Sequence, residues 1–474
     1  MKWFVLLSTF FVILGGVSAM GPDTMATDTI PGLKLKTFSN ATYPDGHSIG
    51  NLAMIYDPLI TNKYILLWDE KENYTLNGRE VLVGEIMIST SSDFVNWSGN
   101  RRDIVISKED GANSSSPSGT YDPSSGKIFV VWSEVNRTSG FKEIYLGTST
   151  DGITWNSTVK NTVISNIYDG KVSNCTHPHI AVTSDGYQHA VWLGFNSTTG
   201  TWEVYYGSGY GDGTWSSERK DNSVSVEDSS SAQSVDIVAD NSASTPRVWI
   251  FWTEYVVSDD AYAVFAANST APYGKWNTTI VSSTYGMNAY NVSAIIYNGN
   301  LFLFWEQEVN EQGKKVKEIA AKNFLGGKWA NTFGGNLTIS YPDGHNATHP
   351  RGGINQNGIF VMWDEYDEIS GYRQVMFGNS TGGNWTSENS DLRLTAESTN
   401  NIMPSLYLGE NQDIYIAWMH WIEDNNKQRG VWEGCTLRAA PQDIIPEFAY
   451  IGITEAIIAV LIYASWKRER SRSP

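Results

Sequence analysis

The chain has 474 residues, of which 33 are Lys or Arg and 51 are Asp or Glu, so its formal net charge is −18. Nucleic acid is excluded as an expected partner, because proteins bind its phosphate backbone through an excess of basic residues. Apolar residues make up 41% of the chain and charged residues 18%, with 43 Gly and 19 Trp. This composition is too aromatic for a disordered chain and too poor in charge for long solvated helices, so we expect a large, strand-rich body.

The N-terminus has the features of a secretory signal. Lys2 precedes a mostly apolar run from Trp3 to Gly15, and Val17-Ser18-Ala19 is a small-residue pattern that a signal peptidase cleaves. We therefore assign residues 1–19 to a signal peptide and exclude them from the fold. The rest of the chain contains 15 Asn-x-Ser/Thr sequons, so an exported protein of this sequence is expected to be glycosylated.

The C-terminus predicts a membrane anchor. Residues 448–466 are mostly apolar and long enough to cross a bilayer as a helix, and the basic residues 467–474 that follow are expected to stay in the cytoplasm. The alternative, a buried C-terminal helix, is disfavoured by the abrupt change to charged residues. Glu455 is the costly residue of the span, because a carboxylate in the bilayer is unfavourable unless it is protonated or near the interface.

Pro446-Glu447-Phe448, followed by this apolar segment and its basic tail, resembles the PEF-type C-terminal sorting signal of archaeal surface proteins. The resemblance covers about the last 30 residues of the chain. It implies cleavage by an archaeosortase and transfer to a membrane lipid, so the mature protein carries either the helix or a lipid anchor. Residues 441–447 are then the linker that contains the sorting motif.

A short apolar run that ends in Trp recurs seven times, at intervals of 53 to 64 residues. The runs are Tyr64–Trp68, Ile128–Trp132, His189–Trp192, Val248–Trp252, Leu301–Trp305, Ile359–Trp363 and Ile414–Trp418. Each is rich in β-branched or aromatic residues and follows turn-forming residues, which is typical of a buried strand. With the strands that flank each run, the pattern predicts an all-β fold: a seven-bladed β-propeller over residues 20–440, with four strands per blade.

The turn after the second run, Ser149-Thr150-Asp151-Gly152-Ile153-Thr154-Trp155, resembles the Asp box of sialidase-like (BNR-type) propellers. In that family the carboxylate caps a tight hairpin and the indole packs between strands, so the resemblance implies a folding device. Ser91–Trp97 is a second recognisable copy, and the other turns keep little more than Gly and Trp. The motif therefore argues for architecture and not for chemistry.

The ring also has a predicted closure. The last repeat ends with Val431–Leu437 and supplies only three strands. Leu33–Phe38, followed by Tyr43-Pro-Asp-Gly-His47, matches Asn336–Ser340, followed by Tyr341-Pro-Asp-Gly-His345. The N-terminal strand is therefore expected to complete the last blade and cover its edge.

Inner strands of a propeller begin on the face where second strands end, so two sets of residues should surround one mouth of the channel. The first set lies two residues after each Trp and consists of Glu70, Glu134, Gly194, Glu254, Gln307, Glu365 and His420. The second set flanks the inner strands and includes His177, His179, Tyr290, His349 and Arg351. We expect a ring of acids with a His/Arg sector from blades three and six.

Several interpretations of this ring are open. Glu70, Glu134, Glu254 and Glu365 are the candidate catalytic residues if paired carboxylates hydrolyse a glycoside. The same glutamates could instead tie adjacent blades by accepting backbone hydrogen bonds, and His177-Pro-His179 could be the polar lining of a wet channel. A sialidase also needs an arginine cluster, and only Arg351 qualifies. The histidines could hold a divalent cation with a carboxylate, but their spacing is loose, so no metal or cofactor is assigned.

The function predicted from the sequence is that of a membrane-anchored, glycosylated cell-surface propeller that binds an extracellular glycan or another cell-envelope component. The alternative is a sialidase-like enzyme or another glycoside hydrolase. The candidate ligand-binding residues are His177, His179, Tyr290, His349, Arg351 and His420. The expected partners are the glycan and the membrane, the latter reached through the C-terminal helix or a lipid anchor.

Overall fold

The structure is a computed structural model of the chain, and it describes the following ranges of residues. These are residues 33–42, 47–60, 64–76, 79–98, 104–158, 162–165, 171–211, 215–218, 222–282, 286–297, 299–331, 338–355, 358–380, 385, 387, 392–395, 399–408, 414–424 and 429–441. The signal peptide 1–19, the linker beyond residue 441, the apolar segment 448–466 and the basic tail 467–474 all lie outside them.

Within these ranges the strands form seven four-stranded antiparallel sheets, and each sheet is one blade, whose strands are named below in order from inner to outer. Blade 1 consists of β2 (Ile49–Tyr56), β3 (Tyr64–Leu76), β4 (Arg79–Ser91) and β5 (Ile104–Val105). Blade 2 consists of β6 (Ser114–Asp122), β7 (Lys127–Val135), β8 (Lys142–Ser149) and β9 (Thr162–Val163). Blade 3 consists of β10 (Val172–Val182), β11 (Tyr187–Asn196), β12 (Thr201–Tyr210) and β13 (Asn222–Ser223). Blade 4 consists of β14 (Ala232–Asp240), β15 (Arg247–Val256), β16 (Ala261–Thr270) and β17 (Asn277–Ile280). Blade 5 consists of β18 (Ala289–Tyr297), β19 (Asn300–Glu311), β20 (Lys314–Leu325) and β21 (Lys328–Asn331). Blade 6 consists of β22 (Thr348–Asn355), β23 (Gly358–Asp367), β24 (Tyr372–Ser380) and β25 (Leu392–Arg393). Blade 7 consists of β26 (Asn401–Leu408), β27 (Ile414–Asp424), β28 (Arg429–Pro441) and β1 (Leu33–Asn40).

The blades close into a ring. Each innermost strand contacts the innermost strand of the next blade, and β26 of blade 7 contacts β2 of blade 1. The fold is therefore an all-β propeller around a central channel. We call the end of the channel where the inner strands begin the channel mouth. Two short 3-10 turns, Asn156–Thr158 and Ser216–Glu218, lie at the outer edge of blades 2 and 3.

The core lies between the blades. All seven tryptophans that end the repeated apolar runs lie in second strands and are at most 1% exposed. Each of these tryptophans packs toward the preceding blade. Trp132 of blade 2 lies in one apolar cluster with Leu67 of blade 1, and Trp68 of blade 1 lies in another with Tyr415 of blade 7. The prediction that these runs are buried strands is confirmed.

The two ends of the described chain meet in blade 7. β1 pairs antiparallel with β28, in a register that runs from Leu33 opposite Pro441 to Asn40 opposite Cys435. The register shifts once, between Leu35 and Thr37. Pairing of β1 covers the outer edge that β28 would otherwise expose.

Turns at the outer edge hold neighbouring strands together. In the turn that begins at Ser149, the Asp151 carboxylate accepts hydrogen bonds from the backbone N–H groups of Ile153 and Thr154, at 2.8 and 2.7 Å. These bonds lower the pKa of Asp151, against the opposing effect of burial. Ser157, two residues after the buried Trp155, donates to the Ile106 carbonyl of blade 1 at 2.7 Å. The turn thus caps its own hairpin and reaches the preceding blade.

The fold-class prediction must be corrected at the C-terminus. It included a transmembrane helix over residues 448–466, whereas the architecture of the described part of the chain is built from strands alone, apart from the two short 3-10 turns. No helix in the described ranges has the length and apolar character needed to cross a bilayer. The last described strand, β28, extends to Pro441.

Deleting residues 20–40 should destabilise the propeller. The deletion removes β1 and exposes the edge of β28, so we expect a loss of several kcal/mol, at roughly 1 kcal/mol per net hydrogen bond. Thermal unfolding of the full chain and of the deletion variant tests this. Deletion of residues 20–32 alone is the control and should leave the unfolding midpoint unchanged. Equal midpoints for the two deletions would show that β1 contributes nothing to closure.

The channel mouth as candidate functional site

Every inner strand contains a bulge near its start. In six blades the ladder between the inner and the second strand gains one residue on the inner side, for example between Gly50 and Ala53 in blade 1, and in blade 3 it gains one residue at each of two places. Seven of these bulges hold a non-glycine residue with φ between 43° and 56°. They are Asn51, Ser116, Asn174, His177, Asn291, His349 and Met403. The bulges place one ring of side chains at the channel mouth.

The bulge has a sequence signature that periodicity does not reveal. In four blades a proline follows the bulged residue, as in Ser116-Pro117, His177-Pro178, His349-Pro350 and Met403-Pro404. Proline lacks a backbone N–H, so inside a sheet it is tolerated at a bulge or an edge. A proline two to six residues after the start of an otherwise good strand was therefore the available signal for these positions.

A carboxylate directly after the tryptophan ties blade 1 to blade 2. Asp69, which follows Trp68, accepts a hydrogen bond from the Asn51 side chain of its own blade at 2.8 Å. The same carboxylate oxygen accepts the backbone N–H of Ser116 in blade 2 at 3.2 Å. Both donors are bulge residues, so Asp69 fixes two neighbouring positions of the mouth at once.

The same arrangement links blades 5, 6 and 7. Glu306 accepts from the Asn291 side chain at 2.5 Å and from the His349 N–H at 3.0 Å. Asp364 in turn contacts His349 Nδ1 at 2.7 Å and accepts the Met403 N–H at 3.1 Å. From the sequence, ties between blades were expected at the residue two after each Trp. In blades 1, 5 and 6 of the structure the residue directly after Trp makes them.

Asp364 is the electrostatic centre of blade 6. Its side chain is fully buried, and Arg373 donates from Nε to its Oδ2 at 2.7 Å. Burial alone would raise the pKa of Asp364, but the hydrogen bond from His349 and the charges of His349 and Arg373 hold it below its usual value. The carboxylate therefore stays ionised and holds two donors whose side chains are about one third exposed.

A second group extends the mouth across blade 5. Lys317 donates to the buried Glu306 at 2.8 Å, and its ammonium lies 4.2 Å from the centre of the Tyr290 ring. Tyr290 donates its hydroxyl to Glu308 at 3.2 Å. Burial, together with the Glu308 charge, raises the pKa of Tyr290 to about 12, so its hydroxyl stays protonated.

Residues of blades 3, 4 and 6 approach one another inside the channel. His179 Nδ1 lies 3.2 Å from Asp236 Oδ1, and Asp236 also accepts the Ala294 N–H at 2.8 Å. Burial lowers the pKa of Arg351, and the charges of Asp236 and Glu306 oppose that shift. The predicted His/Arg sector therefore shares this part of the channel with Asp236, a residue that no sequence pattern singled out.

His177 stands at the rim of the same sector. Its side chain is exposed, and its ring nitrogen Nδ1 lies 3.2 Å from the Thr176 hydroxyl. Partial burial, followed by the charges of His179 and Lys142, lowers the pKa of His177, which favours the neutral imidazole. A neutral ring can both donate and accept a hydrogen bond.

The four candidate catalytic glutamates lie behind the mouth and not in it. Each is at most 6% exposed, and each accepts the indole N–H of the tryptophan two residues earlier. The Nε1 to Oε2 distances are 2.7 Å for Glu70, 2.8 Å for Glu134, 2.7 Å for Glu254 and 2.7 Å for Glu365. Residues i and i+2 share one face of a strand, which is why this contact recurs.

Two other blades make the same contact with neutral groups. In blade 5, Trp305 donates to the amide oxygen of Gln307 at 2.9 Å. In blade 7, Trp418 donates to Asn401 at 2.8 Å, and the predicted ligand residue His420 lies 2.9 Å from the same oxygen. A neutral amide therefore suffices as the acceptor, which favours a structural role for the glutamates.

Burial changes the acidity of several carboxyl groups in the interfaces between blades. It raises the pKa of Glu134 to about 6 and the pKa values of Glu203 and Glu254 to about 7. Hydrogen bonds from neighbouring side chains oppose each shift, and for Glu254 the charges of Glu203 and Asp228 add to the increase. A fraction of these groups is therefore protonated at neutral pH.

Aspartates in the loops that lead into the inner strands serve as turn caps. Asp110, Asp228 and Asp343 each accept the backbone N–H two residues later, at 3.0, 2.6 and 2.9 Å. Asp45 and Asp169 lie outside the described residues. Over the described ranges, one group of three side chains has donor atoms close enough to share a metal ion, and it consists of His47, Glu70 and Glu72.

No protein-family model matches the chain, and no curated protein matches it. Among solved structures, a protein of unknown function from Dyadobacter fermentans is similar, with 10% identity, a TM-score of 0.50 and coverage of 87% of this chain and 100% of that one. An ulvan lyase described as a new polysaccharide lyase family, PL25, has 11% identity and a TM-score of 0.51, over 86% of this chain and 96% of its own. A Trypanosoma rangeli sialidase in complex with sialic acid has 12% identity and a TM-score of 0.40, over 90% of this chain and 62% of its own. At these identities the likeness to the first two establishes the propeller fold alone.

Glu254→Gln should flatten the pH dependence of stability. A carboxyl whose pKa rises on folding, here from 4.5 to about 7, stabilises the fold below pH 4.5 relative to neutral pH, and that contribution is lost as pH rises through 7. We expect the wild-type unfolding temperature to fall between pH 4.5 and pH 7. Glu254 should account for a loss on the order of 3 kcal/mol in the free energy of unfolding over this window. Thermal unfolding across this window should show a shallower decline in the variant.

Gln307→Glu is the matched reverse substitution, because Gln307 occupies the equivalent position and accepts from Trp305. It should steepen the decline over the same window, since it adds a buried carboxyl. Identical pH profiles for the wild type and both variants would contradict the structural assignment of these residues.

Proposed function

We propose that this protein is an exported propeller that binds an acidic, hydroxyl-rich polysaccharide across the channel mouth. The observation that carries the proposal is the ring of bulges, in which seven non-glycine residues adopt the left-handed backbone conformation. Such residues cost about 1 to 3 kcal/mol each and concentrate at ligand sites. Here the strain supports a fixed array of polar side chains.

The chemistry of the array favours an anionic ligand although the chain as a whole is acidic. The acceptors Glu306 and Asp364 are fully buried, whereas the side chains that donate to them remain about one third exposed. Those exposed side chains are Lys317, His349 and Arg373. The mouth therefore presents donors outward, and carboxylates, sulfates and hydroxyls are the groups that such donors recognise.

A solved relative suggests the probe. The ulvan lyase was also solved bound to -[GlcA(1-4)Rha3S]-, a sugar repeat that carries a carboxylate and a sulfate, and that structure has a TM-score of 0.51 with this chain. An oligosaccharide of that repeat has the charge pattern the donors of the mouth would bind. The extracellular location rests on the predicted signal peptide at residues 1–19.

The alternative of a glycoside hydrolase has less support. Hydrolysis of a glycoside generally requires two carboxyl groups on either side of the scissile bond. Glu70, Glu134, Glu254 and Glu365 are at most 6% exposed, and each is bound to a tryptophan indole. Binding without turnover is therefore the function we propose.

Calorimetric titration of the full chain with GlcA–Rha3S oligosaccharides tests the proposal, with neutral cello-oligosaccharides as the comparison ligand. His177→Ala and Tyr290→Phe each remove polar groups at the mouth and should weaken binding roughly tenfold, because each removes one hydrogen-bonding partner. The unfolding temperature of His177→Ala should match that of the wild type, and that of Tyr290→Phe should fall slightly, because its hydrogen bond to Glu308 is lost.

Tyr210→Phe is the control, since Tyr210 ends a third strand on the opposite face of the propeller and is 61% exposed. It should bind like the wild type. Equal affinity for acidic and neutral sugars, or affinity that His177→Ala and Tyr290→Phe leave unchanged, would contradict the proposed site. Cleavage of the oligosaccharide by the wild type would replace binding with catalysis.

A further inference from the structure

We infer that His47, Glu70 and Glu72 form a site for one divalent transition-metal ion, with Zn²⁺ as the best match. One imidazole nitrogen and one oxygen from each carboxylate lie within 4.8 Å of one another. This set differs from the histidines considered from sequence, His177, His179 and His349. The inference is independent of the glycan that the mouth is proposed to bind.

The backbone explains why the three residues meet. Glu70 and Glu72 are two residues apart on β3, so their side chains share one face of the strand. Ile49, at the start of β2, pairs with Glu70, which brings the chain segment just before β2 alongside the same part of β3. His47 lies in that segment, two residues before the paired position.

Neighbouring groups orient the donor atoms. Trp68 donates its indole N–H to Oε2 of Glu70 at 2.7 Å, which fixes the plane of a carboxylate that is 2% exposed. Asn73 Nδ2 lies 3.1 Å from Nε2 of His47, and Nδ1 of His47 lies 3.9 Å from Oε2 of Glu72. A metal ion on Nδ1 leaves the ring proton on Nε2, and the Asn73 amide then has to turn over so that its oxygen accepts that N–H.

The electrostatics of the group also favour a cation. Two carboxylates held this close repel each other, and an ion of charge +2 removes that repulsion. The side chains of His47 and Glu72 are about one quarter exposed, so an ion can enter from solvent. The buried Glu70 then forms the floor of the site, and His47 and Glu72 form its rim.

The donor set selects the metal. Zn²⁺ binds imidazole nitrogen and carboxylate oxygen, and three protein ligands leave a fourth position for water. Ca²⁺ and Mg²⁺ prefer oxygen ligands only and higher coordination numbers, which a site with one histidine and two glutamates does not offer. Among first-row divalent ions, a nitrogen-containing site binds those late in the series most tightly.

The position of the site gives metal binding a structural consequence. His47 lies between β1, which completes blade 7, and β2, which begins blade 1. A metal bond from His47 to β3 would fasten this connection to blade 1, at the point where the ring closes. Zn²⁺ should therefore raise the unfolding temperature of the protein, since a ligand that binds only the folded state stabilises it.

Titration of the chelator-treated full chain with Zn²⁺, at about 0.15 M salt to screen surface charge, tests the inference. We expect one Zn²⁺ per chain, and an affinity at least tenfold lower in His47→Gln and in Glu72→Gln. His345→Gln is the matched control, because His345 ends the second copy of the Tyr-Pro-Asp-Gly-His motif and contacts Asp343 and Glu368 outside the group. It should bind Zn²⁺ like the wild type.

Unfolding temperature is the second readout. Zn²⁺ should raise it in the wild type and in His345→Gln and leave it unchanged in His47→Gln. If His47→Gln does not fold, Glu72→Gln carries the test, because its partly exposed side chain is at the rim. Zn²⁺ affinity that both variants retain, or equal competition by Ca²⁺, would overturn the site and assign the binding to unspecific surface carboxylates.

Discussion

The indole N–H of the tryptophan in each second strand is the group around which the blades are organised. The ring must be buried to fill the space between blades, and its N–H then needs an acceptor inside that space. A carboxylate or amide oxygen supplies one in six blades, as with Glu134 for Trp132 and Gln307 for Trp305. Blade 3 is the exception, because Trp192 is followed two residues later by Gly194, and its N–H has no hydrogen-bond partner among the described residues.

The alternation of a strand connects this core to the channel mouth. In five blades the residue two after the tryptophan shares its face and accepts the indole N–H. In blades 1, 5 and 6 the residue directly after the tryptophan accepts a backbone N–H of the next blade. In blade 6 these are Glu365 and Asp364, and Asp364 holds the bulges of blades 6 and 7 through His349 and Met403. A tripeptide that begins with tryptophan therefore fixes both the packing between blades and the backbone that surrounds the channel.

This arrangement separates the acids of the chain into two roles. Carboxylates such as Glu306 and Asp364 are buried and hydrogen-bonded in contacts between blades, so they contribute little to the surface that a ligand contacts. The side chains that remain accessible above them are their cationic or imidazole partners. A strongly acidic protein can in this way present a donor-rich surface at one place, and that place is the mouth of the channel.

Much of the architecture follows from sequence because its repeat is strong. The apolar runs recur at intervals of 53 to 64 residues, and each ends in a tryptophan such as Trp68 or Trp132. Burial of each of these indoles is the expected outcome, and the structure shows it. The site was harder to predict, because a bulge inserts one residue and changes which side chains reach the channel. The contact from Asp69 to Ser116 joins residues 47 positions apart in different blades, and no local pattern encodes it.

Hydrogen exchange at the bulge amides tests the central claim most directly, since the claim is that buried carboxylates hold the mouth in place before any ligand binds. The N–H groups of Ser116, His349 and Met403 each donate to such a carboxylate and should exchange slowly in the ligand-free chain. Replacing Asp364 with Ala should release the Met403 amide and leave Ser116 protected. Fast exchange of all three amides in the wild type would contradict the account.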